Sequence, residues 1–189
     1  MIDYWEKMLR EEISALTSLE FFKPGFMSVS KPHPIWTTPG SSPAKIAMAT
    51  IQAQMLSGRY RTEKLCSHWS NRKSGVCLLD HLCSSTTEDL QHILKHCPAL
   101  KPARDKLIRF TIEYCHEHLP IFPLVQEFCQ PSHPQFCQFL LDCSILPEVI
   151  TATKLNGFEV LATLFHITRT WCYTLHKERL KMLGRWNPF

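Results

Sequence analysis

Three cysteines and a histidine near the middle of the sequence lie at a spacing that suits a metal ion. Cys77, Cys83, His92 and Cys97 follow the pattern C-x5-C-x8-H-x4-C. Zinc prefers four thiolate and imidazole ligands at tetrahedral positions. A segment this short cannot bury a core of its own, so a bound metal is expected to supply the missing free energy, on the order of 10 kcal/mol. The pattern therefore predicts a structural Zn²⁺ site with no open coordination position.

Other potential ligands lie close to these four residues. His81 lies between the two cysteines, His96 precedes Cys97, and Cys66 and His68 lie upstream. Any of them can replace one of the four ligands. The alternative interpretation is that the cysteines are small buried hydrophobic residues and the histidines lie at the surface. The odd total of nine cysteines argues against a disulfide framework.

The elements that must position these residues are all predicted to be helices, because apolar residues recur at helical spacing and no segment alternates as a strand does. Helices are predicted over residues 3–19, 43–69, 88–95, 102–118 and 158–183, with two short helices between 120 and 147. The connections are rich in proline, which ends helices. The sequence predicts an irregular all-α fold with a small zinc knuckle between helices.

Composition shifts along the chain predict three consecutive regions. An N-terminal helix and a proline-rich linker occupy residues 1–40, a helical zinc-knuckle region occupies 41–118, and a C-terminal helical region occupies 119–189. No apolar run approaches the ~20 residues of a membrane span. The charged N-terminus also lacks the apolar core of a signal peptide. We therefore expect an intracellular protein, nuclear or cytoplasmic, with no membrane partner.

A stretch of basic and aromatic residues precedes the metal-site pattern. Cations neutralise phosphates and aromatic rings stack on unpaired bases, so this stretch is a candidate contact with RNA or DNA. The net charge of +4 permits such a partner without requiring it. The alternative is that the rings belong to the core and the charges form a solvated face. The candidate nucleic-acid-binding residues are Arg59, Tyr60, Arg61, Lys64, Arg72 and Lys73, with Trp69 beside them.

A second basic pattern lies in the last helix. Arg169, Arg179 and Lys181 are among its cations, and they form a candidate stripe for phosphates. Cations are also common near the C-terminus of any helix, where they complement the helix dipole. A solvated helix end is therefore the alternative interpretation.

Several motifs of the central segment occur together in one known family. The matching positions are the stretch Leu56–Thr62, the pair Cys77 and Cys83, and then Glu88, His92, Cys97, Pro98 and Arg104. This order resembles the zinc-binding segment that follows the polymerase in LINE-type (non-LTR) retrotransposon reverse transcriptases. The resemblance covers about residues 43–110. It implies a region that helps to grip template RNA or target DNA.

The resemblance does not extend to polymerase chemistry. A polymerase needs paired aspartates for two catalytic metals, and the sequence contains no Asp-Asp dipeptide. We therefore expect a non-enzymatic, nucleic-acid-binding module that is detached from the polymerase and has no small-molecule substrate. The alternative from a different class is a helical protein-interaction or scaffold domain, or a decayed remnant, without nucleic-acid function.

Overall fold

The regular structure of this protein is helical. The computed structural model describes residues 32–70, 74–79, 81–83, 85–118 and 122–185, together with residues 4, 7, 8, 11, 12 and 20–22. Within these residues the extended structure is limited to one antiparallel bridge between Val76 and Thr87. The all-α prediction is confirmed. The helix predicted over residues 3–19 lies outside the described residues, apart from isolated positions.

The helices are named in chain order. They are α1 (Pro34–Thr37), α2 (Pro43–Leu56), α3 (Glu63–Trp69), α4 (Lys101–His118), α5 (Phe122–Phe128), α6 (Phe136–Leu141), α7 (Pro147–Asn156) and α8 (Phe158–Met182). Shorter helical turns are two 3-10 turns, His81–Cys83 and Cys143–Ile145, and one π-helical turn, His92–His96. Among the described helices, none has the length and apolar character needed to cross a membrane.

The chain divides into two compact units. The first unit comprises Met1–Arg59 and Gln138–Arg169, and the second comprises Tyr60–Cys137 and Thr170–Phe189. Helices α6 and α8 each contribute residues to both units. Each unit is thus built from two separate stretches of chain, whereas the sequence predicted three consecutive regions.

The helix predicted over residues 43–69 is divided into two helices. Helix α2 ends at Leu56, and Gly58 then takes a φ of +65°. This left-handed conformation favours glycine and interrupts the helical hydrogen bonds. Helix α3 begins after Thr62, whose hydroxyl caps it by accepting a hydrogen bond from the Leu65 amide at 3.1 Å. The prediction of one continuous helix was wrong because glycine and a new N-cap both lie inside the segment.

Each unit has a core that contains hydrogen-bonded polar side chains. In the first unit, the amide nitrogen of Gln52 donates to the carbonyl oxygen of Leu140 at 2.8 Å and to the hydroxyl of Thr168 at 3.0 Å. In the second unit, the indole nitrogen of the buried Trp171 donates to the hydroxyl of Thr111 at 2.8 Å. These bonds offset the cost of removing polar atoms from water.

A buried ionic network joins α8 to the segment that contains the candidate ligands. The carboxylate of Glu88, which is 0% exposed, accepts hydrogen bonds from the Glu63 amide at 2.8 Å and from Nε of Arg179 at 3.2 Å. The guanidinium of Arg179 also lies 3.8 Å from the Glu63 carboxylate. Because Arg169 and Arg179 are both buried, they do not form the phosphate-facing stripe that the sequence suggested.

Arg179→Met is expected to lower the free energy of unfolding by about 3–5 kcal/mol, because it leaves the buried Glu88 carboxylate without its cation. Lys181→Met is the matched control on the same helix. Lys181 is exposed, and its ion pair with Glu178 contributes at most about 1 kcal/mol. Urea unfolding followed by circular dichroism measures both values. Equal stability of the two variants would contradict a stabilising role for the buried pair.

Candidate metal centre

The two upstream cysteines are positioned by a short loop that folds back on itself. The amide of Cys77, which follows the bridge residue Val76, donates to the carbonyl oxygen of Thr86 at 2.9 Å. Cys83 ends a 3-10 turn, and its carbonyl oxygen accepts from the Thr86 amide at 2.8 Å. Both cysteines are therefore tied to Thr86 by backbone hydrogen bonds, which places their side chains on one side of the loop.

His92 and Cys97 are positioned by the π-helical turn. The Asp89 carboxylate starts the turn by accepting a hydrogen bond from the His92 amide at 2.9 Å. The amide of Cys97 closes it by donating to the carbonyl oxygen of His92 at 2.7 Å, five residues back. In an α-helix, side chains five residues apart point roughly 140° away from each other. The wider π turn reduces this angle, so both side chains point towards the two cysteines.

The four predicted ligands form a buried Cys3His group that can hold a metal ion. Their ligand atoms all lie within 4.8 Å of one another. Sγ of Cys97 is 3.9 Å from Sγ of Cys77 and 3.8 Å from Sγ of Cys83. Two sulfurs that ligate one tetrahedral zinc at 2.3 Å are separated by roughly 3.8 Å, whereas a disulfide bond is about 2.05 Å long. The spacing is that of thiolates around one ion.

His92 provides an independent test of whether a metal fits the group. Both of its ring nitrogens are buried, and neither has a hydrogen-bond partner within the described part of the chain. Leaving a buried polar atom unsatisfied costs about 1–3 kcal/mol. Burial also lowers the pKa of His92, which favours the neutral imidazole that binds metals. A coordinated ion would satisfy one of these nitrogens.

The thiols of Cys77 and Cys83 favour their protonated forms when no cation is close to them. Burial raises the pKa of Cys77 and of Cys83. Hydrogen bonds from the backbone of Leu79 to Cys77 and of Ala99 to Cys83 oppose this shift without reversing it. Metal binding to such a group converts thiols to thiolates and releases protons.

The other potential ligands lie outside this group. His68, His81 and His96 are exposed, and Cys66 is buried on α3 away from the four ligand atoms. Among the candidate histidines, His92 is therefore the one that the structure places with the three sulfurs.

Tyr60 does not present its ring to solvent. It is 5% exposed, its hydroxyl is hydrogen-bonded to Nδ1 of His176 at 3.0 Å, and the guanidinium of Arg179 lies over its ring. Burial raises the pKa of Tyr60 to about 12. The ring belongs to the core of the second unit, which is the alternative considered above. It is therefore not part of a nucleic-acid surface.

The remaining basic residues of the predicted stretch are distributed differently. Arg59 is exposed and belongs to the first unit, whereas Arg61 and Lys64 are exposed in the second. Lys64 lies 3.7 Å from the Asp89 carboxylate. Arg72 and Lys73 lie outside the described residues. Trp69, at the end of α3, is 73% exposed and is thus available to a ligand.

Arg104 is a residue of the centre to which the sequence analysis assigned no role. It is 4% exposed, and its guanidinium donates to the carbonyl oxygens of Cys97 and Ile93, the latter at 3.3 Å. Burial lowers the pKa of Arg104. Its spacing from Leu107 and Thr111, which are also buried, is that of one helix face. This spacing could have indicated from the sequence that Arg104 faces inward.

The comparisons with known proteins give no identification. The chain matches no protein-family model, no curated protein and no solved structure. The resemblance to LINE-type reverse transcriptases therefore stays a prediction, and the function is inferred from the geometry of the second unit.

His92→Ala is expected to weaken Co²⁺ binding by more than about 100-fold, because a lost ligand costs more than a lost outer-shell partner. His96→Ala is the matched control and is expected to bind Co²⁺ as the wild type does. Titration followed by thiolate-to-cobalt charge-transfer absorption measures both affinities. A larger loss in His96→Ala than in His92→Ala would assign the ligand to His96 instead.

Proposed function

We propose that this chain is a zinc-stabilised helical module that binds single-stranded nucleic acid. The observation that carries the zinc assignment is the buried group of three sulfurs and one imidazole, with two sulfur separations of 3.8 and 3.9 Å. The d electrons of Zn²⁺ impose no geometric preference, so the ion readily binds thiolate and imidazole donors at tetrahedral positions. Four protein ligands leave no position for a substrate or water, so the role is structural.

The segment that holds the ligands has little else to stabilise it. Among the described residues between Cys77 and Cys97, the buried aliphatic side chains are Ile93 and Leu94. Two such side chains contribute roughly 3–6 kcal/mol, which is less than the conformational entropy of ordering a loop of this length. A bound zinc would supply the difference and would keep Glu88 in reach of Arg179.

Protein purified without chelator is expected to contain one zinc per chain, and Cys97→Ser is expected to lose it. Chelation of the wild type should lower the midpoint of thermal unfolding, because the binding energy of a structural zinc is folding energy. Cys115→Ala, which alters a buried cysteine of α4 outside the group, is the control that should retain the metal. Elemental analysis and calorimetry provide the two readouts. Folded wild-type protein without zinc would mean that the cysteines are core residues.

The nucleic-acid part of the proposal rests on α3 and the residues just before it. Trp69 exposes most of its ring, and Arg61 and Lys64 are exposed within the same short stretch. Aromatic rings that face solvent beside cations are typical of single-strand binding, in which bases stack and phosphates are neutralised. A duplex keeps its bases stacked internally, so the single-stranded form is the favoured ligand.

Helix α3 is attached to the metal centre by close backbone contacts. The amide of Lys64 donates to the carbonyl oxygen of Glu88 at 3.2 Å. Gly75 takes a φ of +74°, and a Cβ atom there would lie 3.0 Å from Oγ of Ser67, so glycine favours this close approach of the loop to the helix. Metal binding would therefore hold the proposed nucleic-acid surface in a defined position.

Trp69→Ala is expected to weaken binding of a single-stranded RNA oligonucleotide about 5- to 150-fold, because stacking on one aromatic ring contributes about 1–3 kcal/mol per base. Trp36→Ala, at an exposed tryptophan of α1, is the control that should bind as the wild type does. Fluorescence anisotropy at ~50 mM salt, where counterion release favours binding, measures the affinities. Absence of any RNA or DNA binding by zinc-loaded protein would leave the protein-interaction alternative.

A further inference from the structure

Arg104 is a buried cation with no carboxylate partner in the part of the chain that the structure describes. Its guanidinium is bonded to the carbonyl oxygens of Ile93 and Cys97, which are neutral acceptors. Among the described residues no carboxylate forms an ion pair with it, and the adjacent Asp105 pairs with Lys101 instead. Burying a guanidinium without a countercharge costs several kcal/mol. Asp105 raises the pKa of Arg104 without forming an ion pair with it, so a paired negative charge would have to come from another kind of group.

The other buried charged side chains described in the second unit have ionic partners. Glu88 is paired with Arg179, and Glu63 lies within ion-pair distance of both Arg179 and Arg185. None of these carboxylates is shared with Arg104. Its position therefore differs from that of an ordinary member of a buried salt-bridge network.

A zinc-loaded centre would supply the missing charge. The guanidinium of Arg104 is bonded to the carbonyl oxygen of Cys97, so it lies beside a residue of the candidate centre. A divalent ion with three thiolates and a neutral imidazole carries one excess negative charge. One adjacent guanidinium would make the assembly neutral, which lowers the cost of burying it.

We infer that Arg104 is the counter-ion of the metal centre and that it strengthens metal binding by balancing the third thiolate. This inference rests on the proposed zinc site. Arg104 is a positioning residue and not a ligand, since it carries no lone pair for a metal. Its hydrogen bond to the Cys97 carbonyl oxygen holds the positive charge beside one of the ligating residues.

Two substitutions separate the charge of Arg104 from its hydrogen bonds. Arg104→Gln retains amide donors but removes the charge, and it is expected to weaken zinc binding about 10- to 100-fold. Arg104→Lys retains the charge and is expected to bind zinc within about threefold of the wild type. Arg109→Gln, at an exposed arginine of α4, is the control for loss of a surface charge. Competition with a chelator of known affinity measures all four proteins.

The cobalt spectrum distinguishes a counter-ion from a residue that only shapes the site. The Co²⁺ form of Arg104→Gln should keep the d–d bands of the wild type, because the ligands and their tetrahedral geometry are unchanged. Two results together would assign Arg104 to packing and overturn the inference. They are shifted d–d bands in Arg104→Gln and weak zinc binding by Arg104→Lys. Wild-type zinc affinity in Arg104→Gln would also overturn it.

A measurement on the wild type covers the case in which Arg104→Gln does not fold. X-ray absorption at the zinc edge counts the sulfur ligands directly. Three sulfurs and one nitrogen give the excess charge that Arg104 balances, whereas two sulfurs would give a neutral centre and overturn the inference. Wild-type protein that binds no zinc would overturn both this inference and the proposed function, so the two failures are distinguishable.

Discussion

The convergence of four ligand atoms within 4.8 Å of one another is the constraint on which the second unit depends. These atoms come from an extended segment, a 3-10 turn, a π-helical turn and the residue that follows it. None of these pieces is stable alone, since short turns form few hydrogen bonds and bury little apolar surface. Fixing the four side chains at one point fixes the backbone between them, and with it the position of Glu88.

Buried charge is the second consequence of this arrangement. A small unit that contains Glu63, Glu88, Arg104 and Arg179 in its interior pays a desolvation cost that hydrophobic residues of the same size would avoid. A shift of α8 by one turn would separate Arg179 from Glu88, so this pair favours one register of the helix. The counter-ion role proposed for Arg104 follows the same logic, with the thiolates of the candidate metal centre as its partner.

The sequence predicted those features that depend on residue type and spacing alone. The cysteine and histidine spacing and the helix starts at Pro43 and Phe158 are of this kind. The π turn was not predictable. Its hydrogen bonds reach five residues back instead of four, and a segment of five residues is too short for the pattern of apolar residues to reveal this difference. The burial of Tyr60 depends on contacts with residues more than 100 positions away in sequence, including His176 at 3.0 Å. No local pattern records such a contact.

Helix α3 connects the metal centre to the solvent-exposed surface of the unit. Its buried residues are Glu63 and Cys66, whereas Lys64 and Trp69 are exposed. A helix of seven residues is too short to be stable by itself in water, so its position depends on what it contacts. Two of those contacts are with the carbonyl oxygen of Glu88, which lies between the candidate ligands, and with Gly75, two residues before Cys77. Others are the ion pairs of Glu63 with Arg179 and Arg185. The proposed structural zinc and the proposed nucleic-acid surface are therefore coupled, because loss of the metal would weaken some of the contacts that position the helix carrying Trp69.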